Sequence, residues 1–225
     1  MDLIDKQIAY LKEFMTEERF GVLERTVGLR TRYMTVCLEN IFHPQNASAV
    51  VRSCEAFGIQ DVHAVEVLTR FKPNVNIVRG TDKWVDIHRY RSENASAGLI
   101  TKLKNEGYRI VATSPHIDDT TPEAFDVTRG KFALFFGTEH AGISDDVRAQ
   151  ADEFIKIPMY GMVESLNISV CAAILLYMLS QRVHTVVDDW QLPGNEQKKY
   201  LFRWMMESVK DSKRIMERFD PNAMP

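Results

Sequence analysis

The sequence predicts an α/β fold in which a mostly parallel six-stranded sheet carries helices on both faces, with further helices at both ends of the chain. Two observations predict this class. From Thr35 onward, short apolar segments alternate with segments of helical periodicity, which is the pattern of βαβ units in a parallel sheet. Two of the helical segments end at Gly58 and Gly107, and glycine is a typical residue at the C-terminal end of a helix.

The elements follow in chain order. The first stretch is amphipathic, with apolar residues at helical spacing at Ile4, Ile8, Leu11 and Met15. Short apolar runs predict six strands over 35–38, 62–67, 85–90, 108–113, 131–136 and 154–157. Between them we predict helices over 46–57, capped by Asn46, and over 94–106, and a short helix after Ser144. A long apolar helix over 166–183 follows, then a linker over 186–195 and a last helix over 196–219.

The length and composition are those of one globular domain with short additions. The 225 residues are 45% hydrophobic and 26% charged with a net charge of −3, which excludes collagen-like and largely disordered proteins. Acidic residues near the start exclude a signal peptide, and no uninterrupted apolar run reaches the roughly 18 residues of a membrane span. We therefore expect a cytoplasmic protein with no membrane partner.

The three cysteines favour neither a disulfide framework nor a metal site. Cys37, Cys54 and Cys171 are odd in number, far apart, and outside any Cys-x-x-Cys or Cys/His cluster. We interpret them as buried structural thiols and expect no metal cofactor.

Three segments at the carboxyl ends of predicted strands can carry chemistry, because open α/β sheets bind ligands at that edge. The first segment opens a helix with Asn46 and carries Arg52 nearly two turns later. The second, residues 135–142, is a turn in which two glycines bracket Glu139 and permit close approach of backbone to a ligand. It matches neither the P-loop nor the dinucleotide fingerprint.

The third segment, residues 157–170, is an irregular loop that leads into the long apolar helix. Its polar residues Ser165, Asn167 and Ser169 are not needed for packing. We predict that Ser165 caps the helix. Capping does not explain Asn167, which we treat as a functional candidate.

Together, the three segments resemble the motifs of the SPOUT class of RNA methyltransferases, in particular its TrmH-type branch of ribose 2′-O-methyltransferases. The resemblance rests on Asn46-x-x-Ala49-x-x-Arg52 with Ala56-Phe57-Gly58, on Gly137-Thr138-Glu139-x-x-Gly142, and on Ile157-Pro158-Met159 through Ser165-Leu166-Asn167-x-Ser169. It covers residues 35–182 and implies a C-terminal deep trefoil knot. Hydrophobic periodicity cannot indicate how a chain threads, so the knot is implied by the resemblance alone.

The resemblance also implies S-adenosylmethionine as the cofactor. Its contacts would be made by Thr113, Gly137, Ile157, Met159, Ser165 and Leu166. Backbone N–H and C=O groups can recognise the edge of adenine while apolar side chains enclose its faces.

By the same resemblance, catalysis is assigned to Arg52, Asn46, Glu139 and Asn167. A ribose 2′-hydroxyl must lose its proton and attack the methyl group in line, so the site must orient the reactants and stabilise negative charge. A guanidinium group keeps its proton at physiological pH, so we assign Arg52 first to alkoxide stabilisation and second to proton removal. Asn167 then positions the ribose or Arg52, and Glu139 orients its loop.

Basic residues are concentrated at the two ends of the chain, although the net charge is negative. We predict RNA contacts at Arg19, Arg25, Arg30, Arg32, Lys198, Lys199 and Arg203. The neighbouring aromatic residues Tyr200, Phe202 and Trp204 either pack on a core or stack on bases. The predicted division is an N-terminal helical extension (1–32) that contacts tRNA, a methyltransferase domain with the knot (33–185), and a linker with a basic helix (186–225) that also contacts tRNA.

Within the family, terminal helices without a separate N-terminal module resemble the branch that methylates guanosine 18 in the D-loop of tRNA. The family also implies a homodimer with the active site near the subunit interface, which would give the apolar helix a partner. Two alternatives stay open: 2′-O-methylation of ribosomal RNA or of another tRNA position, and a catalytically silent RNA-binding protein on the same fold. A Rossmann oxidoreductase is disfavoured because its glycine fingerprint is absent.

Overall fold

The computed structural model describes residues 2–71, 80–117, 119–138 and 141–220. The chain divides into a larger unit, residues 31–190, and a second unit formed by Met1–Arg30 together with Gln191–Pro225. The two ends of the chain thus belong to one compact unit rather than to two separate extensions. The unit boundaries lie after Arg30 and after Trp190, so Arg32 falls in the larger unit.

The larger unit is built on six strands, each within a few residues of its predicted position. They are β1 (Met34–Glu39), β2 (Asp61–Val65), β3 (Asp86–Tyr90), β4 (Arg109–Thr113), β5 (Phe132–Phe136) and β6 (Glu153–Ile155). Their order in the sheet is β3-β2-β1-β5-β4-β6, and all five pairings are parallel. The predicted six-stranded α/β fold is confirmed.

The described helices of four or more residues number eight. They are α1 (Leu3–Lys12), α2 (Glu17–Val27), α3 (Pro44–Ala56), α4 (Ala95–Asn105), α5 (Asp145–Gln150), α6 (Ile168–Val186), α7 (Gly194–Ser208) and α8 (Ser212–Met216). In the larger unit, helices cover both faces of the sheet. Met34, Val36 and Leu38 of β1 pack with α3 and α6 in one core cluster, whereas Cys37 packs with α4 and α5 in the other.

Helix α6 lies in the first of these clusters. By length and composition it could span a membrane, and it is the one described helix of which this is true. One side of it is buried in the core through Ala172, Leu175, Leu179 and Val183, as expected for a core helix.

The beginning of α6 differs from the prediction. Its N-cap is Asn167, whose side chain accepts a hydrogen bond from the Ser169 N–H, and the predicted cap Ser165 lies in the preceding loop. The prediction for α3 was wrong in a similar way. His43 occupies the N-cap position and Pro44 begins the helix, so Asn46 lies within the first turn instead of capping it.

The smaller unit contains α1, α2, α7 and α8. Its core includes Leu11, Leu23 and Trp204. The single C-terminal helix predicted over 196–219 is interrupted, because α7 ends at Ser208 and the chain turns through Asp211 at a φ of 57° before α8 begins.

Candidate active site

One cleft of about 510 Å³ lies at the carboxyl edge of the sheet, where the loops after β4, β5 and β6 meet the first turn of α6. The six residues predicted to bind a cofactor all line it: Thr113, Gly137, Ile157, Met159, Ser165 and Leu166. Asn46 and Asn167, predicted as catalytic residues, line the same cleft. The structure therefore brings together residues that are more than 100 positions apart in the sequence.

The turn after β5 forms one wall of the cleft, and it depends on a close approach between two backbone segments. A Cβ atom at Gly137 would lie 2.0 Å from the carbonyl carbon and oxygen of Gly142, so only glycine fits there. Thr138 and Gly142 exchange backbone hydrogen bonds of 2.8 and 3.1 Å, and Gly142 has a φ of 70°. The two glycines of the second motif thus differ in function. Gly137 permits the close backbone approach, and Gly142 adopts a left-handed backbone conformation.

The loops after β4 and β6 run beside each other, and residues of both line the cleft. The Ser114 N–H donates to the Ile155 carbonyl over 3.2 Å, and the Lys156 N–H donates to the Thr120 carbonyl over 2.9 Å. The Thr113 hydroxyl donates to the Phe135 carbonyl over 3.0 Å, which holds the end of β4 against β5. These bonds fix the backbone groups that face the cleft.

A side-chain network joins α3 to α6 on the cleft wall. The Oδ1 atom of Asn167 accepts hydrogen bonds from the Ser169 N–H over 2.9 Å and from the Ser169 hydroxyl over 2.6 Å. Because Asn167 Oδ1 is bonded to Ser169, the amide is oriented with Nδ2 toward α3. Asn167 Nδ2 donates to Oδ1 of Asn46 over 3.1 Å. The cap of α6 therefore also sets the orientation of the Asn46 side chain.

The two other predicted catalytic residues are placed differently. Arg52 lies on α3, six residues beyond Asn46 and about 9 Å further along the helix axis. Its side chain is exposed and is not among the residues that line the cleft. Glu139 lies outside the described residues.

Sequence reasoning missed a buried carboxylate that supports the turn after β5. Glu39, the last residue of β1, is 1% exposed. It accepts hydrogen bonds from the Ser144 N–H over 3.0 Å, from the Ser144 hydroxyl over 2.8 Å and from the Ser96 hydroxyl. Ser144 caps α5 directly after the turn, so Glu39 fixes where that turn ends. The signal available in the sequence was an acidic residue at the end of an apolar strand.

Several further cleft residues were not predicted to bind a ligand there. Ser114 and His116 could have been found because they directly follow β4, whereas Arg148 on α5 had no signal in the sequence. Cys171 also lines the cleft. Burial raises the pKa of its thiol to about 11, so the thiol is protonated and is not a nucleophile at neutral pH.

Three of the predicted RNA-binding residues are exposed in the smaller unit. They are Arg19, Arg25 and Lys199. Arg19 also donates from Nη2 to the Ser208 hydroxyl over 3.2 Å. These positions are accessible to a phosphate group.

Arg30 and Arg203 are placed against aromatic rings instead. Arg30 is completely buried, and its guanidinium carbon lies 5.7 Å from the centre of the Trp204 ring. From this position it cannot reach a phosphate group. Arg203 is half-buried and lies 4.6 Å from the centre of the Tyr200 ring. Tyr200 and Trp204 are themselves buried, so they pack in the core rather than stack on bases.

Arg32 and Lys198 are held by carboxylates. The Nε atom of Arg32 lies 2.5 Å from Asp61 Oδ2, and its Nη2 atom lies 3.7 Å from Asp86 Oδ2. Lys198 Nζ lies 2.6 Å from Asp5 Oδ1. An RNA phosphate would have to compete with these acidic partners.

The cleft suits an adenosine-containing ligand. Its volume is in the range of small-molecule sites, its lining combines apolar side chains with a few polar groups, and residues of three loops line it. The described residues contain no group of three or more His, Cys, Asp or Glu side chains that could hold a metal ion.

Comparisons with known proteins agree with this geometry. The model of the SpoU rRNA Methylase family matches residues 33–177. A tRNA (guanosine(18)-2′-O)-methyltransferase of Borreliella burgdorferi is 37% identical over 210 residues, which cover 93% of this chain and 94% of that protein. The crystal structure of the A. aeolicus TrmH/SpoU tRNA modifying enzyme is 30% identical, has a TM-score of 0.75, and aligns over 87% of this chain and 98% of its own.

A more distant structure shares the fold. The SpoU methyltransferase AviRb from Streptomyces viridochromogenes, solved in complex with the cofactor AdoMet, has a TM-score of 0.57 at 22% identity, over 72% of this chain and 62% of its own. The family match extends from β1 into α6 and includes every residue of the cleft. The chain belongs to the SpoU rRNA Methylase family.

Proposed function

We propose that this protein transfers the methyl group of S-adenosylmethionine to a ribose 2′-hydroxyl of tRNA, and that its target is guanosine 18 in the D-loop. The observation that carries the proposal is the single cleft that joins all six expected cofactor residues to Asn46 and Asn167. The names of the relatives support tRNA as the substrate and guanosine 18 as the nucleotide.

The cleft residues fit S-adenosylmethionine. Ile157, Met159 and Leu166 offer apolar surface for the faces of adenine, and the backbone at Thr113 and Gly137 offers groups for its edge. When bound, S-adenosylmethionine supplies a methyl group that is electrophilic because it is attached to a positively charged sulfur atom.

The protein's own residues orient the ribose and stabilise charge. In the transfer, the ribose oxygen would form a bond to the methyl carbon while the bond from that carbon to sulfur breaks, and S-adenosylhomocysteine would leave. The 2′-hydroxyl proton would pass to solvent water, so negative charge would develop on the ribose oxygen. We assign Arg52 to stabilise this charge. The hydrogen-bonded pair of Asn46 and Asn167 positions the ribose, and the hydrogen bond that the Ser169 hydroxyl donates to Asn167 Oδ1 holds the pair in place. Glu139 remains the proposed orienting group of its loop.

The test is incorporation of labelled methyl groups into tRNA, followed by mapping of the modified nucleotide. We expect modification of a transcript that contains guanosine 18 and none when that base is replaced. Modification of ribosomal RNA or of another tRNA position would contradict guanosine 18 as the target and support that alternative substrate. Failure to consume S-adenosylmethionine with any RNA would favour a silent RNA-binding protein.

Arg52→Ala tests the assignment within the site. We expect methyl transfer to fall roughly 100-fold or more, with nearly unchanged cofactor binding. Arg129→Ala is the matched control, because Arg129 is also an exposed arginine but precedes β5, at the opposite edge of the sheet. Near-normal methyl transfer by Arg52→Ala would contradict the assignment.

We also propose a homodimer with the cleft near its interface. Tyr160 and Met162, in the loop that leads from β6 to α6, are fully exposed, and Val170 and Tyr177 expose further apolar surface on α6. A second copy of the chain would cover these side chains. Light scattering at micromolar concentration should give twice the mass of the chain, and a monomer would contradict the proposal.

Three further features belong to the same proposal. The loops after β4 and β6 run side by side, which supports a deep trefoil knot, because in such a knot the chain threads near these loops. The exposed residues Arg19, Arg25 and Lys199 support tRNA contacts by the terminal segments 1–32 and 186–225, with residues 33–185 as the methyltransferase domain. A tRNA substrate and three cysteines that form no disulfide favour a cytoplasmic location.

A further inference from the structure

Three arginines surround one buried carboxylate at the carboxyl edge of the sheet, outside the cleft. Glu66 directly follows β2, and its side chain is 0% exposed. Its Oε1 atom lies 2.6 Å from Arg89 Nη1, and its Oε2 atom lies 2.7 Å from Arg91 Nε and 3.8 Å from Arg70 Nη1. We name these four residues the Glu66 cluster.

The cluster has more positive charge and more hydrogen-bond donors than its carboxylate can satisfy. Each guanidinium group has five N–H donors, whereas a carboxylate accepts at about four sites. Three positive charges face one negative charge. The side chains of Arg70 and Arg91 are 61% and 55% exposed, so both are accessible to a ligand, while Arg89 also donates to the Phe71 carbonyl over 2.5 Å.

Backbone and side-chain bonds hold the cluster in place. The Glu66 N–H donates to the Tyr90 carbonyl over 2.7 Å. The Asn40 Oδ1 atom accepts from the Val67 and Leu68 N–H groups over 2.9 and 2.8 Å. Although burial opposes ionisation of Glu66, hydrogen bonds from Arg91 and Arg89 lower the pKa of its carboxyl, which stays charged at neutral pH. Arginines anchored in this way lose little conformational entropy when they bind a ligand.

The position of the cluster relates it to the cleft within the same unit. Both lie at the carboxyl ends of parallel strands. In the sheet order, β2 is two strands from β5 and β3 is three strands from it, which corresponds to roughly 10–15 Å at the usual strand spacing. A polynucleotide whose ribose enters the cleft would extend over this distance within a few nucleotides. Two parallel N–H donors of a guanidinium group match the spacing of two phosphate oxygens.

We propose that Arg70, Arg89 and Arg91, anchored on Glu66, bind backbone phosphates of the RNA substrate next to the nucleotide that is methylated. This inference rests on the proposed function for the identity of the RNA. The cluster adds a phosphate site on the methyltransferase unit to the contacts proposed for the terminal segments.

The test measures the salt dependence of RNA binding. The variant Arg70→Gln/Arg91→Gln removes two exposed cations and keeps Arg89, which pairs with Glu66. The matched control is Arg129→Gln, because Arg129 is 58% exposed and shares the Glu153 carboxylate with Arg109 at the opposite edge of the sheet. Affinity for a tRNA transcript is measured by fluorescence anisotropy without cofactor at several salt concentrations, and circular dichroism checks that each variant is folded.

We expect the double variant to lower the slope of log affinity against log salt by roughly 1.4–1.8, since each phosphate contact contributes about 0.7–0.9. The ratio of wild-type to variant affinity should therefore grow roughly 7- to 12-fold between about 200 and 50 mM salt. Arg129→Gln should keep the wild-type slope. An unchanged slope in the double variant, or an equal decrease in Arg129→Gln, would overturn the proposal. Because this binding assay needs no methyl transfer, a wild-type protein that binds tRNA without methylating it would refute the proposed function and leave the phosphate site to be judged by the slopes.

Discussion

Replacement of Gly137 by alanine tests whether the cleft depends on the close backbone approach in the turn after β5. The new Cβ atom would lie 2.0 Å from the carbonyl group of Gly142 and 2.2 Å from the Ile143 nitrogen, whereas ordinary contact begins at 3.4 Å. The obstacle is backbone on both sides, so no side chain can rotate away. The two segments must separate by about 1.4 Å, and a misplacement of about 1 Å can lower a reaction rate roughly 100-fold, so we expect a loss of similar size in ligand binding.

Isothermal titration calorimetry with S-adenosylhomocysteine measures the effect on the cleft without RNA. We expect Gly137→Ala to weaken binding roughly 100-fold, which is about 2.8 kcal/mol, and to lower the free energy of unfolding by about 1–3 kcal/mol. Gly98→Ala on α4 is the matched control, because no atom lies within 4 Å of its added Cβ. A folded Gly137→Ala protein that binds within roughly threefold of wild type would refute the reasoning.

Three further predictions concern polar groups: the N-cap Asn167 and the buried residues His63 and Glu39. Asn167→Ser keeps an N-cap oxygen but cannot reach Asn46, so methyl transfer should fall more than roughly tenfold with little loss of stability. Asn167→Ala also removes the cap, so urea titrations should show a further loss of about 1 kcal/mol in the free energy of unfolding. Full activity of Asn167→Ser would exclude the positioning role. Burial, and repulsion by His88, lower the pKa of His63 from 6.5 to about 3. The contribution of neutral His63 to the free energy of unfolding is therefore intact above pH 6.5. It decreases as the pH falls, by about 2 kcal/mol at about pH 5. His63→Asn should remove this decrease in the free energy of unfolding at low pH. An unchanged dependence of unfolding on pH would contradict the role of His63. Glu39→Gln turns an acceptor into a donor that faces other donors, so unfolding titrations should show a loss of about 1–3 kcal/mol, and wild-type stability would contradict the role of the carboxylate.

Much of the fold could be predicted because it depends on local patterns. Apolar runs located all six strands within a few residues, and helical periodicity located α3, α4 and α6. The residues expected to bind a cofactor also share one cleft, because parallel strands end at the same edge of a sheet and their loops meet there. Cys37 and Cys54 are buried as predicted, whereas Cys171 lines the cleft.

The details that failed involve choices between neighbouring residues of similar chemistry. Ser165 and Asn167 are both good helix caps, and the sequence contains nothing that decides between them. The structure selects Asn167, whose side chain reaches Asn46 on another helix while it caps α6. Arg30 was indistinguishable from the exposed arginines, and its burial beside Trp204 depends on helix packing at the other end of the chain.

By itself, the sequence determined the class of fold, the edge of the sheet that carries the cleft, and the motifs that indicate the family. These follow from periodicity and from residue types at short spacing. Only the tertiary structure decided which polar groups are buried together, as with Glu39 and Ser144, or Glu66 and its three arginines. The physical reason is that a buried charge is tolerated only with specific partners, and packing brings those partners from distant parts of the chain.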